Sequence, residues 1–214
     1  MSEEQIQRYS RHILLPGVGG VGQERLLASS VLIAYSEDEE SAALMALAYL
    51  AAAGVGQIGW CPLDEDDGIK QKSPLSAFYG GSLGSGLKRL NPDSRLTPYH
   101  PGEGAKEVFD VLAWLGDESA GDLEAFMGSG KFLIRGVSRD EAGEISEYPG
   151  AFAKPDVTPH GGGASTVAAQ GALGAWLAAR ILRHLVDETD SVGSTAQARF
   201  DFSHGFIEAH ANLS

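Results

Sequence analysis

The sequence predicts an α/β protein: a mostly parallel, Rossmann-like sheet flanked by helices and closed by a C-terminal β-hairpin. Three observations carry this expectation. Short apolar runs such as Val31-Leu32-Ile33-Ala34-Tyr35 recur along the chain, bounded by turn-forming residues, and runs of that kind read as strands buried on both faces. Helical patterns alternate with them, which is how parallel sheets are built and covered. The 214 residues, 43% hydrophobic and 21% charged, suffice for one domain with a substantial core.

Taken in order, Ile6, Tyr9, Ile13 and Leu14 stand at helical spacing over residues 3–15, and Pro16 ends the pattern. Residues 22–29 predict a second short helix, and Val31 to Tyr35 the first strand. A long alanine-rich helix spans about 39–53, stopped by Gly54. Gln57 to Cys61 is a strand closed by Pro62. A polar loop over 62–74 leads to a helix that runs to Leu90, before the turn Asn91-Pro92. Ser94 to Tyr99 and Asp110 to Leu115 read as strands, and Asp122 to Met127 as a helix. Lys131 to Val137 and Gly143 to Tyr148 are strands around the turn Asp140-Glu141-Ala142-Gly143. A Pro/Gly-rich loop occupies 149–163. Ala164 to Val186 is a long helix, and a hairpin (196–202 and 205–210) closes the chain. No repeat or long linker divides the sequence, so 1–214 reads as a single domain: 1–30 a helical arm, 31–163 the Rossmann-like core, 164–214 the long helix and hairpin.

Charge narrows the function. The chain carries 29 acidic against 16 basic residues, a net −13. No basic run is present to neutralise phosphates, so nucleic acid and anionic membrane surfaces are not expected partners. The single cysteine, Cys61, allows neither an internal disulfide nor a four-cysteine zinc site, and it reads as a small buried residue rather than a reactive thiol. The stretch Ala42 to Val55 is too short to span a bilayer, and the first residues lack the apolar core of a signal peptide. A cytoplasmic protein is the expectation.

Gly17-Val18-Gly19-Gly20-Val21-Gly22 satisfies the dinucleotide motif G-x-G-x-x-G. That motif works only after a strand and at the start of a helix, where amides and the helix dipole meet phosphate. Here it precedes the first strand, so it reads as a helix-to-helix connection. The segment that does follow the first strand is Ser36-Glu37-Asp38-Glu39-Glu40-Ser41. It has no glycine, so every residue carries a Cβ that blocks close backbone approach to a pyrophosphate. Its four consecutive carboxylates favour the helix N-terminus and repel a triphosphate. The chain's own carboxylates stand in the electrostatic niche of the ligand.

The segments Arg8-Tyr9-Ser10-Arg11-His12-Ile13-Leu14-Leu15-Pro16, Gly19-Gly20-Val21-Gly22-Gln23-Glu24 and Val31-Leu32-Ile33 together resemble the opening of the ThiF/MoeB/HesA activating enzymes. The likeness continues at Tyr49 to Gly59, at Leu90-Asn91-Pro92, at Phe109 to Asp117, at Gly143-Glu144-Ile145 and over the long helix after Ala164. The resemblance implies a Rossmann-like, usually dimeric protein that adenylates the C-terminus of a ubiquitin-like sulfur carrier, with ATP and magnesium at the carboxyl ends of the strands.

Position by position, the resemblance also implies losses. The family's glycine loop falls on the acidic segment 35–41. Its ribose-binding aspartate falls on Pro62, with Asp64 nearby. Its next segment, which brings an arginine to the phosphates, falls on Glu65 to Lys72, which has none. Its catalytic lysine falls on Tyr79. Its zinc cysteines are missing, and 149–163 offers no cysteine for a thioester. Two candidate catalytic remnants survive. Arg11 matches an arginine that reaches the ATP site of the neighbouring subunit; its other reading is an interface salt bridge. Asp117 matches the aspartate linked to magnesium and the phosphates; its other reading is an N-cap for a helix over 119–127.

Among the remaining candidates, the six histidines are not spaced as a metal pair, and His160 reads as a plain loop histidine. The serines lack a hydrolase arrangement, and Trp60, Trp114 and Trp176 are expected core or interface anchors. The resemblance therefore implies a non-catalytic or impaired family member, a scaffold or partner subunit that forms a homodimer or a heterodimer with an intact relative. No cofactor is expected to be held, with ATP and magnesium binding lost or weak, and a ubiquitin-like sulfur carrier is a further candidate partner. The alternatives are an active adenylyltransferase with a rebuilt nucleotide site and a small-ligand binding module.

Overall fold

The structure is a computed structural model that describes residues 1–63, 82–100, 108–116, 126, 130–149, 164–187 and 196–211. These residues form one eight-stranded sheet in the order β3-β2-β1-β4-β5-β6-β7-β8. The strands are β1 Ser30–Tyr35, β2 Gln57–Pro62, β3 Arg95–Pro98, β4 Phe109–Leu115, β5 Gly130–Arg139, β6 Ala142–Pro149, β7 Ala196–Asp201 and β8 Phe206–Ala211. From β3 through β5 all neighbours run parallel. The pairs β5–β6, β6–β7 and β7–β8 are antiparallel. The order reverses between β1 and β4, which makes their carboxyl ends the switch point where doubly wound sheets bind ligands.

The helices are α1 Glu3–Arg8, α2 Ser10–Ile13, α3 Gly19–Ala28, α4 Glu40–Ala53, α5 Leu83–Leu90 and α6 Val167–Val186. α4 is apolar nearly all round, from Ala42 to Ala51, the pattern of a helix buried on most of its sides, with Tyr49 left exposed. It ends because Gly54 adopts a left-handed φ of 88°. The Gly54 and Val55 amides then return to the Ala51 and Leu50 carbonyls, which satisfies the last turn. α6 lies beside α4 and covers β5 and β6. The two approach so closely at Gly174 that a Cβ there would overlap the Ala42 carbonyl oxygen.

One core cluster, including Val31, Ile33, Leu44, Leu47, Ile134 and Leu173, lies between the sheet and these helices. A second, with Leu32, Ala34, Leu112, Trp114, Phe126 and Leu133, lies on the opposite face. Alternate residues of β1 feed the two clusters, as a strand buried on both sides requires.

Three boundaries differ from the sequence expectation. The single helix over 3–15 is two, broken at Tyr9. That residue is 1% exposed, and its hydroxyl donates to Asp93 at 2.9 Å and accepts from Asn91 Nδ2 at 2.8 Å, so a buried tertiary anchor overrides the helical run. The helix expected over 22–29 starts at Gly19, because the motif glycines form its first turn. The β5–β6 turn is only Asp140-Glu141, with Asp140 at φ 49°, a conformation Asp tolerates. The polar loop after 63, the helix before Leu83, most of the helix over 122–127 and the loop 150–163 lie outside the described residues.

Candidate functional site

β1 delivers the chain to the switch point at Tyr35. Ser36 is held there by its amide, which donates to the Leu115 carbonyl at the end of β4. Residues Glu37–Glu39 then make one turn of 3-10 helix before α4 begins. The Glu39 amide donates back to the Ser36 carbonyl. On the other side, Gln170 Nε2 in the first turn of α6 donates to the Asp38 carbonyl at 2.6 Å. The acidic turn is therefore fastened to β4 and to α6.

Its carboxylates do not all face water. Asp38 is exposed, whereas Glu40 is 6% exposed and Glu39 0%. Glu39 crosses to the end of β5, where Oε1 accepts from the Ser138 amide at 2.6 Å and Oε2 from the Ser138 hydroxyl at 2.8 Å. The Arg139 guanidinium is 3.8 Å away. Burial pushes the Glu39 carboxyl up to about 7, against the bonds from Ser138 and the charge of Arg139, with Asp38 adding to the rise. The sequence places carboxylates at a helix start; the structure adds that one of them is a buried structural ligand of β5. Nothing in a run of four acids marks which one turns inward.

A second group escaped sequence reading. Arg135 of β5 is 7% exposed, and its Nε donates to the carbonyl of Gly116, just past β4, at 3.3 Å. A charge inside the apolar run Phe132-Leu133-Ile134 was the available signal, since buried arginines are rare without partners. Cys61 is buried as expected, and burial pushes its thiol up to about 11, away from the thiolate that reactivity requires. Pro62 ends β2 beside Tyr35.

Arg11 lies on α2, exposed, with no hydrogen bond or ion pair to another described residue. Its neighbours fix the arm. His12 Nδ1 lies 3.0 Å from Gln23 Oε1, and buried Gln23 donates to the Ala53 carbonyl at 3.0 Å. The Tyr9 ring packs where a Cβ on Gly54 would sit, 2.7 Å away. The arm is thus pinned to the C-terminal end of α4, while Glu39 precedes its start; 14 helical residues separate those ends by about 20 Å. Arg11 and the acidic turn are not brought together within one chain. Asp117, Asp64, the segment 65–72, Tyr79 and His160 lie outside the described residues. Among the described residues, no three His, Cys, Asp or Glu side chains gather as metal ligands, and no helix is long and apolar enough to cross a membrane.

No family model matches the chain. An adenylyltransferase and sulfurtransferase MOCS3 of Arabidopsis thaliana is 51% identical over 164 residues, covering 69% of this chain and 35% of that protein. The SAMP-activating enzyme E1 of Haloferax volcanii is 31% identical over 120 residues, 51% of this chain and 42% of its own. The fold matches a crystal structure of E. coli MccB with succinimide, with a TM-score of 0.69 and 12% identity over 95% of this chain and 71% of that one. The chain belongs to the ThiF/MoeB/HesA family. It spans only 35% and 42% of the length of these two curated relatives. Within the family's architecture, the acidic turn takes the position of the loop between the first strand and the helix that follows it.

Proposed function

We propose that this chain is a non-catalytic or impaired ThiF/MoeB/HesA protein, a scaffold or partner subunit whose nucleotide crevice is filled by its own acidic turn. The observation that carries the reading is Glu39: fully buried at the switch point and bonded through both oxygens to Ser138. A triphosphate with magnesium does not fit this chemistry. The turn has no glycine, the Ser36 and Glu39 amides are already used within the chain, and a carboxylate occupies the place where cationic groups or metal would have to stabilise phosphoryl charge. Glu39 therefore acts as an internal counterpart of the missing ligand, tying β1, α4 and β5 together.

The arm supports the second half of the reading. Arg11 is exposed and held far from its own crevice, so a role in nucleotide chemistry is one exercised on another subunit. The partner is a second copy of this chain or an intact relative in the same cytoplasm. A protein named as a sulfur carrier protein adenylyltransferase in Thermus thermophilus, 40% identical over 63 residues, makes a ubiquitin-like sulfur carrier a further candidate partner of the assembly.

Calorimetry of Mg-ATP into the full chain tests the reading. The expected result is no binding in the micromolar range at physiological salt. Micromolar binding overturns it in favour of an active adenylyltransferase with a rebuilt site.

A further inference from the structure

We propose that Gly17 to Gly20 form a hinge and Tyr9 a clasp, so that residues 1–16 are a strap that opens as one unit while the sheet stays folded. The run Gly17-Val18-Gly19-Gly20-Val21-Gly22 precedes β1 and opens α3, so it lacks the strand that a dinucleotide loop follows. Its four glycines in six residues need another explanation.

Gly22 has one in packing, since a Cβ there would come within 2.9 Å of Val186 at the end of α6. The other three do not. A Cβ at Gly17, Gly19 or Gly20 would meet nothing within 4 Å among the described residues. Gly17 and Gly19 stand at φ 90° and 62°, states that glycine enters and leaves at little cost. Gly20 has neither a positive φ nor a close neighbour, and in a helix it is roughly fivefold less favourable than alanine. No side chain caps this first turn of α3. The helix therefore starts loosely and becomes firm only where Gly22, Gln23 and Leu26 are buried.

On the other side of the hinge, α1 and α2 bury no residue. Ile6, Leu14 and Leu15 face water, so the strap gives little apolar surface to its seat. Its one buried side chain is Tyr9. The Tyr9 ring covers Gly54, and its hydroxyl accepts from Asn91 and donates to Asp93. The ion pairs of Met1 with Glu24 and of Arg8 with Asp93 lie at the surface, where such pairs contribute little. His12 adds a contact to Gln23. A segment held by one buried ring and a few polar bonds, and joined through unpacked glycines, opens at far lower cost than the core. Opening bares the hollow over Gly54 together with Asn91 and Asp93, and carries Arg11 with the strap. In the partner-subunit reading this motion brings Arg11 to a neighbour. The hinge is a property of the single chain and stands or falls without that reading, since its test needs neither nucleotide nor partner.

The test is hydrogen exchange on the full chain, followed residue by residue by NMR. In the closed strap the amides of Ile6, Tyr9, Ile13 and Leu14 are bonded to the carbonyls of Ser2, Gln5, Tyr9 and Ser10. These four should exchange with one common protection factor, far below that of α4, and sub-denaturing urea should barely change it, because opening exposes little surface. Tyr9→Phe removes the clasp bonds and should speed all four by roughly tenfold. Gly20→Ala, which meets open space, firms the hinge and should slow all four by roughly fivefold. Gly171→Ala in α6 also meets open space and should leave the strap as in wild type. Strap amides protected as strongly as those of α4, a Tyr9→Phe effect confined to Tyr9 and Ile13, or unchanged strap exchange in Gly20→Ala overturns the hinge.

Discussion

A glutamate with no exposed surface and a carboxyl raised to about 7 links one residue to the pH response of the whole fold. In the unfolded chain Glu39 returns to its ordinary value of 4.5. Below that pH both states are protonated, and the full stability is present. As pH rises the unfolded chain loses its proton first, so stability falls through the interval from 4.5 to about 7, where the folded carboxyl also ionises. The loss approaches about 3 kcal/mol. Urea titrations across that interval should show the fall in wild type, and Glu39→Gln should flatten it and be the more stable protein above pH 7. A Glu39→Gln curve parallel to wild type would remove Glu39 from the account. Tyr9 offers a second residue-scale check. Its hydroxyl joins Asp93 and Asn91 in a buried network, so Tyr9→Phe should cost about 1–2 kcal/mol by denaturation while leaving the helices intact by circular dichroism.

Among the elements, the strands were legible because their apolar runs are short, β-branched and bounded by Gly, Pro or Asn; the register of β1 against β2 and β4 follows once those runs are laid parallel. α4 was legible from its alanines and from Gly54. What periodicity does not carry is a tertiary contact that cuts across it. The arm reads as one helix because Ile6, Tyr9 and Ile13 keep helical spacing, and it breaks because the Tyr9 hydroxyl must reach Asp93, 84 residues away. The candidate site was legible in the same uneven way. The acidic run and the lost glycines stand in the sequence, but the inward turn of Glu39 depends on Ser138, 99 residues on, and Arg135 acquires its meaning only beside Gly116. The α4–α6 contact is likewise invisible until the two helices are side by side. Gly174→Ala places a Cβ against the Ala42 carbonyl. Pushing the helices apart there should cost about 1–3 kcal/mol, measured as a lower urea midpoint with an unchanged slope. Because α6 also holds the acidic turn through Gln170, the same substitution should raise hydrogen exchange at residues 37–39.

At the scale of the whole molecule, the arm and the acidic turn stand at opposite ends of α4, and this separation decides what Arg11 can do. The arm exposes Ile6 at 49%, Leu14 at 82%, Leu15 at 52% and Val21 at 64%, a group of apolar side chains that a monomer leaves in water and an assembly covers. Light scattering over a wide concentration range should therefore report a dimer, alone or with an intact relative added; a strictly monomeric mass in both cases would end the partner-subunit reading. If the assembly forms, the planar guanidinium of Arg11 is presented to a neighbour, where it can stabilise charge on a phosphoryl group through a bidentate fork that a lysine does not reproduce. The decisive measurement is ATP–pyrophosphate exchange by an intact relative held at constant concentration, with wild type or Arg11→Ala added. Arg11 is exposed and unpaired among the described residues, so its replacement leaves folding and association unchanged, and light scattering on the same samples verifies that. Wild type should raise the exchange rate, Arg11→Ala should fail to, and Arg11→Lys should restore little of the effect. Equal rates with wild type and Arg11→Ala would reduce Arg11 to a surface residue and leave the chain a scaffold whose contribution is its shape alone.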